Sequence, residues 1–171
     1  MITGPRQAGK STFCRSIAEV ARQAGWDVAG LLSPAQIEQE IKTGILAEDL
    51  RTGINQPMAS ITRQNQDDLL FGDWYFNRRT LEWGNEVLEI SLPCDLLIID
   101  ELGPLELTHH MGWQSALHII PRAEYRLALV VVRPELQSVA RSLFHFSSVV
   151  DIDQSHPTDY WVRKVQNLLI F

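Results

Sequence analysis

A chain of 171 residues fits one domain and is long enough to bury a sizeable core. With 45% hydrophobic residues, 21% charged residues and a net charge of −6, it has an ordinary globular composition, and it argues against a protein that coats nucleic acid, which needs clustered Lys and Arg. No apolar run reaches the roughly 20 residues that cross a bilayer, the longest being Leu127 to Val132, and no secretory leader or membrane association is expected.

In chain order, "MIT" reads as a fragment of a strand, short against the roughly five residues of a buried central strand. Next comes "GPRQAGKST" (4–12), in which Gly4 to Ser11 fit the spacing G-x-x-x-x-G-K-[ST]. Glycines at that spacing let successive backbone N–H groups converge on phosphate oxygens. The helix that follows points its positive end at the same place. The whole loop, Gly4, Pro5, Arg6, Gln7, Ala8 and Gly9 with Lys10, Ser11 and Thr12, is therefore the candidate nucleotide cradle. Lys10 is expected to span the β- and γ-phosphates, Ser11 to give its hydroxyl to Mg²⁺, and Thr12 to meet the α-phosphate.

Ser11 to Ala24 predict a helix, with Phe13, Ile17, Ala21 and Ala24 at three-to-four spacing and Gly25 as its stop. Cys14 lies on the apolar face of that helix as a small core residue. With Cys94 it makes up the whole cysteine content, without CxxC spacing. A disulfide framework or a zinc site is not indicated, and a reducing cytoplasm fits. "WDVAGLL" (26–32) is strand-like and is ended by Pro34, and 37–53 reads as a polar hairpin punctuated by Gly44 and "RTG". Residues 65–82 carry little pattern. Trp74, Tyr75 and Phe76 suit core packing better than base stacking, and Arg78–Arg79 suit a solvated face. A weak helix over 80–91, interrupted by Gly84, leads to "DLLIIDE" (95–101), which has the form of a strand buried on both faces. A helix over 112–122, a second buried strand over 126–132, a Pro-initiated helix over 134–144, a third buried strand over 147–153 and a closing helix over 156–171 complete the chain. That last helix should carry Trp161, Val165, Leu168 and Leu169 on one side. Strands alternating with helices from 95 onward predict a parallel sheet covered on both faces.

A cradle alone only binds, and hydrolysis also needs a metal anchor and a group that aims water. Asp100 stands at the carboxyl end of the predicted strand, where α/β sheets build their sites, and is the candidate Mg²⁺ partner with Ser11. Glu101 follows as the residue that would poise water as a base or positioner, which favours hydrolysis over transfer to an acceptor. A cation against the γ-phosphate is expected as well. Arg133 follows the second strand and is the leading candidate, with Arg141 and Arg6 as alternatives. Glu106 is placed to brace the loop after the carboxylates, and His109–His110 read as an exposed loop.

The run "IIDELGPLEL" (98–107) resembles the signature Asp-Glu-[Ile/Leu]-Gly-Pro-Met-Glu of the small P-loop nucleoside-triphosphatases, described as cancer-related and also known from thermophiles. Asp100, Glu101, Leu102, Gly103, Pro104, Glu106 and Leu107 match. Leu105 replaces the Met, a close volume swap. "ITGPRQAGKST", "GLLSP" and "GILAEDLRTG" are similar to the opening and hairpin segments of that family, so the likeness covers about residues 2–12, 30–53 and 95–107. The resemblance implies an α/β three-layer P-loop NTPase sandwich of RecA/AAA-like type, with a mainly parallel sheet and a small β-hairpin insertion at about 36–60 in a single domain, 1–171. It also implies slow Mg²⁺-dependent hydrolysis of several nucleoside triphosphates with loose base preference. The roles of Lys10, Ser11, Asp100 and Glu101 carry over by position. A small-molecule kinase and a nucleotide-gated assembly module remain as alternatives, and with them a protein partner or homo-oligomer.

Overall fold

The structure is a computed structural model that describes residues 1–153, 156 and 158–166. Its centre is a sheet of ten strands among the described residues. Five run parallel: β10 (Val150–Asp151), β1 (Ile2–Thr3), β9 (Leu127–Val132), β8 (Leu96–Leu102) and β2 (Val28–Leu32), side by side in that order. The two-residue β1 is held on both edges, Ile2 pairing with Val131 on one side and Val150 on the other.

The apolar runs read from the sequence are continuous because both faces of this half are covered. Along β8, Leu96 and Ile98 join Phe13, Cys14 and Ile17 of helix α1 (Lys10–Gln23). Leu97 and Ile99 face the opposite layer with Leu81 and Leu88 of α2 (Arg78–Glu89) and Ala116 and Ile119 of α4 (Gln114–Ile119). Helix α6 (Thr158–Gln166) packs on α1 and buries Trp161 there. The Val165 side chain and Leu168 and Leu169 lie outside the described residues.

The antiparallel half is larger than a hairpin. Beyond β2 come β4 (Ile41–Asp49), β5 (Asn55–Ser60), β7 (Trp74–Phe76) and β6 (Leu69–Phe71), with β3 (Ala35–Glu38) paired to β4 off the main path. The β3–β4 turn is Gln39–Glu40, both at positive φ (48° and 65°), while Gly44, read as punctuation, sits inside β4 opposite Gln36. The unpatterned stretch 65–82 contains the β6–β7 hairpin and the start of α2, whose first turn is capped by Asn77 accepting from the Thr80 N–H at 3.1 Å. The third buried strand is shorter than expected. Only Val150–Asp151 pair, at the sheet edge, and residues 147–149 are exposed. A short helix, α3 (Pro104–Leu107), follows β8, and α5 (Gln137–Leu143) follows a 3₁₀ turn at Pro134–Leu136.

Candidate active site

The loop from Gly4 to Gly9 joins β1 to α1. Gly4 adopts φ 140° with its Cα against the Ile152 carbonyl, and a Cβ there would lie 2.1 Å from that oxygen. Gly9 adopts φ 93°, and a Cβ there would meet nothing within 4 Å, so open space lies beside it. Helix α1 begins on Gly9 with no side-chain cap and no acidic residue in its first turn. Its N-terminal N–H groups and positive dipole end are left for an anion from outside the helix. Lys10 folds back over the loop and donates to the Gly4 carbonyl at 2.8 Å and the Pro5 carbonyl at 2.6 Å. Burial pushes its pKa down, Glu101 and Asp100 pull it up, and Arg133 pushes it down. Arg6 and Thr12 are exposed.

Asp100 is 2% exposed at the carboxyl end of β8. It accepts the Ser33 N–H at 2.9 Å, and the Ser33 hydroxyl donates to the Asp100 carbonyl at 2.8 Å. Burial raises its pKa to about 6, against lowering by the Ser33 N–H and the Ser11 hydroxyl. Loop and carboxylate strand, about ninety residues apart in sequence, therefore come close enough for Ser11 and Lys10 to lower the Asp100 pKa. Glu101 stands beside it in a break of the β8–β9 register between Ile99 and Leu102, at φ 85°, a backbone region costly for a non-glycine residue. Arg133 donates from Nε to Glu101 Oε1, so the candidate cation and the candidate water-positioner are paired. Arg141 is exposed on α5. Glu106 braces the following loop, accepting the Gly103 N–H at 2.9 Å and the Trp113 N–H at 3.2 Å.

Ser33 was not singled out in the sequence. The "SP" after "GLL" marks a strand end, but nothing local tells that its serine holds Asp100. Among the described residues no three His, Cys, Asp or Glu side chains cluster to hold a metal ion. One buried carboxylate beside a hydroxyl is nevertheless a hard oxygen donor pair, and it suits Mg²⁺, which takes one or two protein oxygens together with phosphate oxygens.

A glycine loop under an uncapped helix end, beside a buried aspartate on a doubly covered parallel sheet, defines a P-loop nucleotide-binding protein. The sequence pattern of one family, described as NTPase, matches residues 1–155, and the chain belongs to that family of nucleoside-triphosphatases. A nucleoside-triphosphatase THEP1 of Methanosarcina acetivorans is 30% identical over 97% of this chain and 93% of its own length. Another THEP1, of Ignicoccus hospitalis, is 35% identical over 62% of this chain, and the match spans 59% of that relative's length. The fold matches the crystal structure of THEP1 from Aquifex aeolicus (TM-score 0.69, 18% identity, 99% of this chain and 98% of that one). It also matches the solution structure of a human cancer-related nucleoside triphosphatase (TM-score 0.68, 19% identity, 97% and 96%).

Proposed function

We propose that this chain hydrolyses nucleoside triphosphates to diphosphate and phosphate with Mg²⁺, and with little discrimination between bases. The observation that carries the reading is the buried Asp100, held by Ser33 at the carboxyl end of β8, with Ser11 in the first turn of the helix under the cradle among the groups that lower its pKa. The open space beside Gly9 and the uncapped α1 terminus would seat the phosphates, and Lys10 would exchange its two loop carbonyls for phosphate oxygens. Bound Mg²⁺ would supply neutralisation of the developing phosphate charge. Ser11 and Asp100 would hold it, with Ser33 fixing the aspartate. Glu101, once released by Arg133, would orient the attacking water and accept its proton. Arg133 would then be free to turn toward the phosphate. Contacts of this kind address phosphates common to every nucleoside triphosphate, which supports loose base preference. The free thiols of Cys14 and Cys94 support a reducing, cytoplasmic setting.

Phosphate release from ATP, GTP, CTP and UTP tests the reading. Expected are rates within about tenfold of one another, loss of activity on chelation of Mg²⁺, and a kcat for Glu101→Gln lower by roughly 10²–10⁴-fold, with nucleotide affinity retained. A Glu101→Gln enzyme as fast as wild type would remove the assigned role.

A further inference from the structure

Strand β4 belongs to the antiparallel half, yet its first residues reach the site. It pairs with β2 only through Leu31–Asp49 and Leu32–Glu48, so residues 41–47 run past the carboxyl end of β2, where Ser33 holds Asp100. The Pro34 carbonyl ties back to the Leu46 N–H at 2.9 Å, and a bulge between Ile45 and Leu46 bends the overhang. Lys42 lies on that overhang, half-buried, with its ammonium 5.1 Å from the Trp74 ring centroid. Trp74 pairs across the β6–β7 hairpin with Phe71, and the Phe71 ring meets His109 edge-on at 4.9 Å. Since His109 follows α3, the aromatic hairpin beneath Lys42 is seated on the segment that continues from the carboxylates.

Lys42 forms no salt bridge among the described residues. Burial pushes its pKa down. The charges next felt are all at the site: Glu101 pulls it up, Arg133 and Arg6 push it down, and Asp100 pulls it up. Arg133 is held by Glu101 until that carboxylate is released. The overhang at the carboxyl edge of the sheet thus carries a half-buried cation with no salt bridge among the described residues.

We propose that Lys42 is a further cation supplied within the chain to the γ-phosphate, beside Lys10 and Arg133, carried there by the overhanging β4 strand. This rests on the hydrolytic reading above. It makes the antiparallel insertion a working part of the site, and it makes a cationic finger from a second subunit unnecessary.

The test compares wild type with Lys42→Met, which keeps the apolar stem over Trp74, and with Lys42→Arg, which keeps the charge. Fluorescently labelled ADP and ATP report affinity with Mg²⁺ present, phosphate release reports kcat, and thermal unfolding reports folding. Removing the cation should lower kcat by about 10²–10³-fold, the usual loss for one transition-state charge contact. Lys42→Met should weaken ATP at least fivefold and leave ADP within twofold, while Lys42→Arg should stay within tenfold of wild-type kcat. A Lys42→Met enzyme within threefold of wild-type kcat would overturn the proposal, as would ADP and ATP weakening together. If Lys42→Met fails to unfold cooperatively, Lys42→Gln is read by the same criteria. A wild type that releases no phosphate would sink the hydrolytic reading, while the ADP-against-ATP comparison would still decide Lys42.

Discussion

Gly4 and Gly9 bracket one loop in left-handed backbone, but the two glycines are needed for different reasons. At Gly4 the obstacle is the protein itself, because a methyl group would press on the Ile152 carbonyl and separate the loop from the chain after β10. At Gly9 no protein atom stands within 4 Å of the missing methyl, and that space is what the proposed phosphate would use. Gly9→Ala should therefore cost the fold only the strain of a left-handed alanine, about 1–2 kcal/mol, while weakening nucleotide binding at least tenfold. Gly4→Ala should cost the fold far more. Thermal unfolding and nucleotide titration of both variants separate the two effects. Undiminished affinity in Gly9→Ala would mean that the phosphates sit elsewhere.

Helix α2 shows how an element can be weakened locally and required globally. Gly84 lowers its helix propensity, yet a Cβ at that position would come within 2.5 Å of Trp113 Nε1 and 3.2 Å of Leu31 Cδ1. Trp113 is 2% exposed and cannot swing away. The same interface is tied by Asn85, which donates to the Gly112 carbonyl at 2.9 Å and accepts the Ser115 N–H at 2.8 Å. Gly84→Ala gains about 1 kcal/mol of propensity and loses roughly 1–3 kcal/mol to overpacking, so the melting temperature should fall by a few degrees. A rise would show that the α2–α4 contact has slack. Elements whose pattern is local were readable in advance: β8 and β9 because both faces are buried, and α1 because its apolar residues recur at helical spacing. The glycine loop before α1 and the place of Asp100–Glu101 near the end of β8 were readable for the same reason, each being a short motif. The β6–β7 hairpin was not, since three-residue strands with half-buried aromatics show no period. Nor was the Gln39–Glu40 turn, which holds positive φ without a glycine. Ser33 and Lys42 acquire their meaning only from strand pairing, which no local window contains.

Stability against pH belongs to the molecule as a whole, because it sums every group whose proton affinity changes on folding. Two carboxylates at the carboxyl edge of the sheet are pushed the same way by burial, Asp100 to about 6 and Glu106 to about 7 from an ordinary 4.5. At Glu106 the Gly103 and Trp113 N–H groups oppose the shift without cancelling it, and the Glu101 charge adds to it. The folded chain therefore holds the Glu106 proton more tightly than the unfolded chain does. Its contribution to stability is complete below about 4.5, declines as pH rises toward about 7, and is flat above that. The size is on the order of a few kcal/mol. Glu106→Gln cannot ionise, and it sets an amide N–H₂ against one of the two backbone donors, so it should be less stable than wild type by about 1–3 kcal/mol in acid. The titration of Asp100 is common to both proteins and drops out of their difference. The gap in melting temperature between wild type and Glu106→Gln should thus be widest at pH 5 and narrow toward pH 8, measured without nucleotide. A gap that stays constant, or widens with pH, would mean that the Glu106 carboxyl is already ionised in the folded molecule and that its two N–H partners outweigh its burial.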